Sequence, residues 1–130
     1  MSYYFHKNLS TKDFELAIDQ VSTALKTEGF GVLTSINMQD ALKNKLGVDF
    51  RKYTILGACN PLFAYKALQH EDKVGLLLPC NVVVEQNNSG VIEVSIIDPM
   101  TMMAPLSDKS LSHLAYDISN KLKKVIDILT

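Results

Sequence analysis

Residues 74–97 read VGLLLPCNVVVEQNNSGVIEVSII, and this run decides the fold. In its last part, Ile92, Val94 and Ile96 alternate with Glu93 and Ser95. A period of two is that of a strand with one buried face. Asn87-Asn88-Ser89-Gly90 before it has the composition of a hairpin turn. The run upstream, Val74 to Glu85, is predicted to be a long strand. Pro79 has no amide proton, so it must sit at an edge, a bulge or a bend of that strand. The stretch is therefore expected to form an antiparallel hairpin.

Working backwards, Tyr53 to Cys59 reads as another strand, and Pro61 suits the first turn of a helix reaching about His70. Asn37 is placed to cap a short helix from Met38 to Leu46 that Gly47 closes, and Phe30 to Ile36 before it is β-rich. Phe14, Ala17, Ile18, Val21, Ala24 and Leu25 recur at helical spacing. Ser10 and Thr11 offer N-caps there, Asp13 can reach back toward free amides, and Gly29 supplies the stop. Tyr3 to Lys7 is a short aromatic run read as the first strand. Working forwards, Asp98-Pro99 ends the hairpin. After Pro105 the positions Leu111, Leu114, Ala115, Ile118, Leu122, Val125 and Leu129 mark a long amphipathic helix. Asp108 near its start and Lys121, Lys123 and Lys124 near its end match the helix dipole.

The predicted class is α+β: strand, helix, four strands, long helix, with two short helices inserted. Four consecutive strands without long crossovers pair largely antiparallel. A curved antiparallel sheet with two long helices on one face would bury every apolar stripe named above. Its other face stays open, which calls for a partner subunit or a ligand. No linker, repeat or low-complexity run divides residues 1–130, so they are expected to form a single domain.

Composition narrows the class of function. Apolar residues make up 47% and charged residues 21%, which is ordinary for a small soluble globular domain. Thirteen basic residues against 14 acidic ones give a formal charge of −1, which argues against a nucleic-acid partner. Met1 to Leu9 has no apolar signal region, and Leu76 to Val84 is too short and too interrupted to span a bilayer. No membrane association is expected. The two cysteines, Cys59 and Cys80, then read as reduced thiols in a cytoplasmic protein.

Several blocks carry a resemblance. They are residues 46–51 (LGVDFR), 55–61 (ILGACNP) and 75–84 (GLLLPCNVVV), followed by Ile97-Asp98-Pro99 and Met103. In this order they resemble the domain-of-unknown-function family 302 (DUF302) along essentially the whole chain. The resemblance implies a TATA-binding-protein-like or helix-grip arrangement, β-α-β4-α, and a tendency to form a homodimer. It implies no shared activity.

Among residues that carry chemistry, Cys59-Asn60-Pro61 and Pro79-Cys80-Asn81 place two cysteine–asparagine pairs beside prolines. If their strands are neighbours, the thiols approach one another. The pair then reads either as redox or soft-metal chemistry or as two small buried hydrophobes. Asn60 and Asn81 either bind a ligand or satisfy backbone groups near the prolines. Lys43, Lys45, Arg51, Lys52 and Lys66 either gather an anion, with Arg51 as the bidentate contributor, or form a solvated surface. Asp49 and Asp98 have no evident catalytic partner. Met100, Met102 and Met103 either fill the core or dimer contact, or line a pocket or ligate haem or Cu(I). His6, His70 and His113 are scattered and lack zinc-ligand spacing, and phosphate-loop, nucleophile-elbow and metalloprotease motifs are missing.

The leading expectation is a dimeric small-molecule-binding module without established catalytic activity. Its candidate ligand-binding residues are Cys59, Asn60, Cys80, Asn81 and Arg51. No metal site is expected, and the sequence assigns no cofactor. The alternative is a thiol-dependent redox or soft-metal/haem-binding protein using Cys59 and Cys80.

Overall fold

A computed structural model describes residues 2–106 and 108–130. Strand β1 (Tyr4–Leu9) leads into helix α1 (Phe14–Thr27). Thr11 Oγ1 accepts from the Asp13 amide, and Asp13 is itself the N-cap, with Leu16 N–H donating to Oδ1 at 3.1 Å. Strand β2 (Gly31–Asn37) runs directly into α2 (Met38–Leu46), where Asn37 caps the start and Gly47, at φ +69°, closes the end. Strand β3 (Tyr53–Cys59) is followed by α3 (Pro61–His70), with Asn60 as N-cap and Pro61 in the first turn.

The predicted strand from Val74 to Glu85 is corrected in its first half. Asp72–Leu77 forms a 3₁₀ turn in which Val74 N–H donates to Glu71 O and Leu78 N–H to Gly75 O. The run is apolar at nearly every position, so it has no period to separate a strand from a tight helix. Strand β4 (Cys80–Gln86) starts only after Pro79, and the residue without an amide proton lies before the ladder. The turn at Asn87–Gly90 then delivers β5 (Ile92–Ile97). A short α4 (Pro99–Met102) precedes α5 (Lys109–Ile128), capped by Asp108.

All five strands join one antiparallel sheet in the order β1-β5-β4-β3-β2. Helix α1 packs on β2, β4 and β5, and α5 packs on α1, α3 and β1. Between them lies one core. Val82, Val84, Ile92, Val94 and Ile96 from the sheet meet Ala17, Val21 and Leu25 of α1 and Leu111, Leu122 and Val125 of α5. Each fully buried aliphatic side chain contributes about 1.5–3 kcal/mol through loss of water contact. Ser119 Oγ donates to Asp98 Oδ1 at 2.9 Å, tying α5 to the end of β5. No described helix is long and apolar enough to cross a membrane.

Candidate functional site

The helices cover one phase of each central strand, and the other phase forms the opposite face. It carries Tyr53, Ile55 and Gly57 from β3, Asn81, Val83 and Glu85 from β4, Glu93, Ser95 and Ile97 from β5, and Tyr4 and His6 from β1. Gly57 keeps this face close-fitting near β2. A β-carbon there would collide with the Thr34 hydroxyl and come within 2.8 Å of Pro79 Cγ. Within the face lies a recess of about 340 Å³, lined by Tyr3, Tyr4, Tyr53, Asn81, Val83, Glu85, Glu93, Ser95 and Ile97. That volume falls in the range of small-ligand sites, and all its lining residues but Tyr3 stand on strands.

Two carboxylates dominate its electrostatics. Glu85 and Glu93 are direct cross-strand partners in the β4–β5 register. Arg51 Nε donates to Glu85 Oε1 at 2.9 Å, and its guanidinium carbon stands 4.4 Å from the Phe50 ring centre and 5.4 Å from that of Tyr53. Burial raises the Tyr53 hydroxyl above its ordinary pKa, and the charge of Glu85 adds to the effect. On the other strand, His6 Nδ1 lies 3.0 Å from Glu93 Oε2. The Tyr3 and Tyr4 rings meet edge to face at 5.0 Å, with His6 a further 5.5 Å beyond Tyr4.

The five candidate residues read from the sequence fall in different places. Asn81 lines the recess, and Arg51 borders it through Glu85 and Tyr53. Cys59 lies on the same strand phase as Tyr53 and Gly57 but does not line the recess. Asn60 caps α3, accepting from Phe63 N–H at 3.2 Å, and borders a separate groove of about 460 Å³ with Lys66 and Asp117. Cys80, opposite Ala58, faces the helices and is 3% exposed. The two thiols are thus on neighbouring strands and on opposite faces of the sheet. Both are free, and both hold their protons firmly. Burial raises Cys59, while burial first and the neighbouring Cys59 second push Cys80 up to about 12.

The central cations also separate. Lys43 pairs with Asp49 at 2.9 Å, Arg51 is held by Glu85, and Lys52 stands 5.9 Å from the Phe14 ring centre. Asp98 caps α4 and accepts from Ser119, and Met103 is buried in the core. Among the described residues, no three His, Cys, Asp or Glu side chains converge as a metal-holding group.

Sequence reasoning missed Tyr3, Tyr4, Tyr53, Glu85 and Glu93 as a group. One signal was present: extending the hairpin register from the Asn87–Gly90 turn sets Glu85 opposite Glu93. Like charges directly opposite are unfavourable in a ladder, and here each carboxylate has a partner of its own, Arg51 for Glu85 and His6 for Glu93.

Comparison with known proteins agrees with this chain-long pattern. The family model described as "Domain of unknown function DUF302" matches residues 5–129. The crystal structure of an uncharacterized conserved DUF302 protein from Bacillus stearothermophilus is 31% identical, covers 100% of both chains and superposes with a TM-score of 0.90. No curated protein matches the chain. With a family match that runs from β1 to the end of α5 and a full-length structural relative of the same family, the chain belongs to the DUF302 family.

Proposed function

We propose that the protein is a small-molecule-binding module whose binding surface is the face of the sheet turned away from the helices. The observation that carries this reading is the recess of about 340 Å³, where three tyrosines, the Asn81 amide and two carboxylates converge on the sheet and the start of β1. An aromatic lining supplies contact area, and the few polar groups fix orientation. No catalytic step is part of the proposal. A thiol redox role is less well supported, because reactive thiols need a depressed pKa and both thiols here are raised. The order β-α-β4-α, with α1 and α5 against one face, supports a helix-grip or TATA-binding-protein-like fold. A cytoplasmic site of action goes with two unbonded thiols.

A homodimer belongs to the same reading. Strand β2 is one edge of the sheet, with Leu33 68% and Ile36 48% exposed, and the adjoining α2 buries none of its residues. Pairing of two β2 edges would cover these side chains and satisfy the free ladder groups. Light scattering that reads a single chain mass would remove the dimer from the proposal.

The binding surface is tested by screening a metabolite library by thermal shift and mapping each hit on the amide resonances by NMR. Hits are expected to raise the melting temperature and to move Tyr53, Asn81 and Ser95. Hits confined to the groove around Asn60, or no hits at all, overturn the assignment.

A further inference from the structure

We infer that helix α2 is a clasp between two copies of the chain: the α2 of one protomer lies against its partner, where the α3 of that partner begins. This rests on the reading of β2 as the edge at which two protomers pair.

Residues 31–52 form a strand, a helix and the loop behind it, and none of them is buried. Helix α2 has nine residues, too few to hold a helix in water without packing. It nevertheless carries an apolar stripe, Met38, Leu42 and Leu46, whose spacing of four keeps the three on one helix face. Leu46, at the end of the stripe, is 69% exposed. Within its own chain α2 packs chiefly on β3 and β2, and that contact buries none of its residues. An unburied segment of this length matches the roughly 20–30 residues that each side of a stable interface contributes.

The topology shows why a second copy covers it. Strand β2 (GVLTSIN) is an edge without a charged residue, whereas the opposite edge, β1, carries His6 and Lys7. Beyond the shift in register between Val32 and Thr34, the stretch from Thr34 to Asn37 is a regular free ladder. A symmetric ladder between two copies of one strand is antiparallel. It sets the Asn37 end of each β2, which runs straight into α2, beside the first residues of the other β2. Gly31 lies opposite Cys59, so the start of β2 adjoins the start of α3. There, bordered by Gly29 and Asn60, lies the groove of about 460 Å³, with Leu62, 63% exposed, among its apolar walls. Two carboxylates and two amines rim it, so it opposes no net charge to the lysines of α2. Each copy thus has a helix without a groove at one end of β2 and a groove without a helix at the other. One two-fold axis satisfies both.

The test measures the mass of the intact protein by sedimentation across a concentration series. The parent protein is expected to be a dimer. Leu46→Asp, at the end of the stripe, and Leu62→Asp, on the groove wall, are each expected to weaken that dimer roughly tenfold or more. Ile36→Lys, on the edge itself, is expected to weaken it at least as much. Leu76→Asp, 84% exposed on the 3₁₀ turn, is expected to leave it unchanged. Unaltered circular dichroism shows that the variants fold. In a dimer mixed from labelled and unlabelled chains, NMR is expected to show methyl contacts between Leu46 of one protomer and the partner's Leu62. If Ile36→Lys dissociates the dimer and neither aspartate variant does, the paired edge stands and the clasp is overturned. If Ile36→Lys leaves the dimer intact, the edge reading falls and takes the clasp with it. A single-chain mass for the parent protein removes both.

Discussion

Strands β4 and β5 present two faces built from alternate residues of the same two segments. Val82, Val84, Ile92, Val94 and Ile96 point beneath the helices and are each 0% exposed. Asn81, Val83, Glu85, Glu93, Ser95 and Ile97 point the other way, and none of them is buried. On the helix side each residue type is what folding asks for, aliphatic and β-branched in a closely packed layer. On the other side a cross-strand glutamate pair works against the ladder it stands in. One face is explained by stability alone. The other is the face to which the proposed binding surface is assigned.

The sharpest way to break this contrast is to truncate neighbours in sequence that lie on opposite faces. Ile96→Ala removes a fully buried side chain that has no room to be replaced, and is expected to cost about 2–5 kcal/mol. Ser95→Ala, one residue earlier and on the open face, is expected to change stability by less than about 0.5 kcal/mol. Urea unfolding at constant slope measures both. Equal losses would mean that the open face is packed against something in solution and is not open.

The cysteines extend the comparison to pH. Cys80 faces the helices, and burial, with a smaller contribution from Cys59, pushes it up to about 12 from 9.0. A thiol that keeps its proton longer in the folded than in the unfolded chain contributes stability that is complete below pH 9.0. That contribution is lost as pH rises toward about 12, at about 1.4 kcal/mol per pH unit. Cys80→Ala should therefore flatten the alkaline fall in stability relative to the parent protein. Cys59→Ala, half-exposed on the other face, should leave most of it. Denaturant titrations between these pH values decide it, and a parent slope that survives Cys80→Ala would show that burial does not govern this thiol.

How much of this was legible in the sequence follows from which signals are local. Ile92–Ile97, Phe14–Leu25 and Leu111–Leu129 carry unbroken periods of two or 3.6, and the α2 and α3 boundaries were readable from Asn37, Gly47 and Pro61. Residues 74–79 failed because an unpatterned apolar run fits a 3₁₀ turn as well as a strand. The site failed for a different reason. Tyr4 reaches Ile97, and Tyr53 reaches Glu85, only through long-range pairing in the order β1-β5-β4-β3. No spacing in the chain encodes that. The cysteine pair shows the same limit on a finer scale: neighbouring strands were inferable, but the one-residue register that sets Cys80 opposite Ala58 puts the two thiols on opposite faces.

The smallest expected effect is the most telling, because its sign is unusual. Glu93→Gln removes one member of the like-charged pair and loses only a partly exposed contact to His6, with side chains 37% and 57% accessible. Such exposed contacts contribute little, whereas opposed like charges cost roughly 0.2–1 kcal/mol. The variant is therefore expected to gain a few tenths of a kcal/mol at low ionic strength, the gain shrinking as salt screens the repulsion. Glu85→Gln should behave oppositely, since it strands the Arg51 guanidinium that Glu85 holds at 2.9 Å. Paired urea titrations at low and high salt measure both signs. If Glu93→Gln loses as much as Glu85→Gln, Glu93 serves the fold and the two faces differ less than their burial implies. If Glu93→Gln gains stability, the residue stands where folding alone would discard it, as a face proposed to bind a ligand requires.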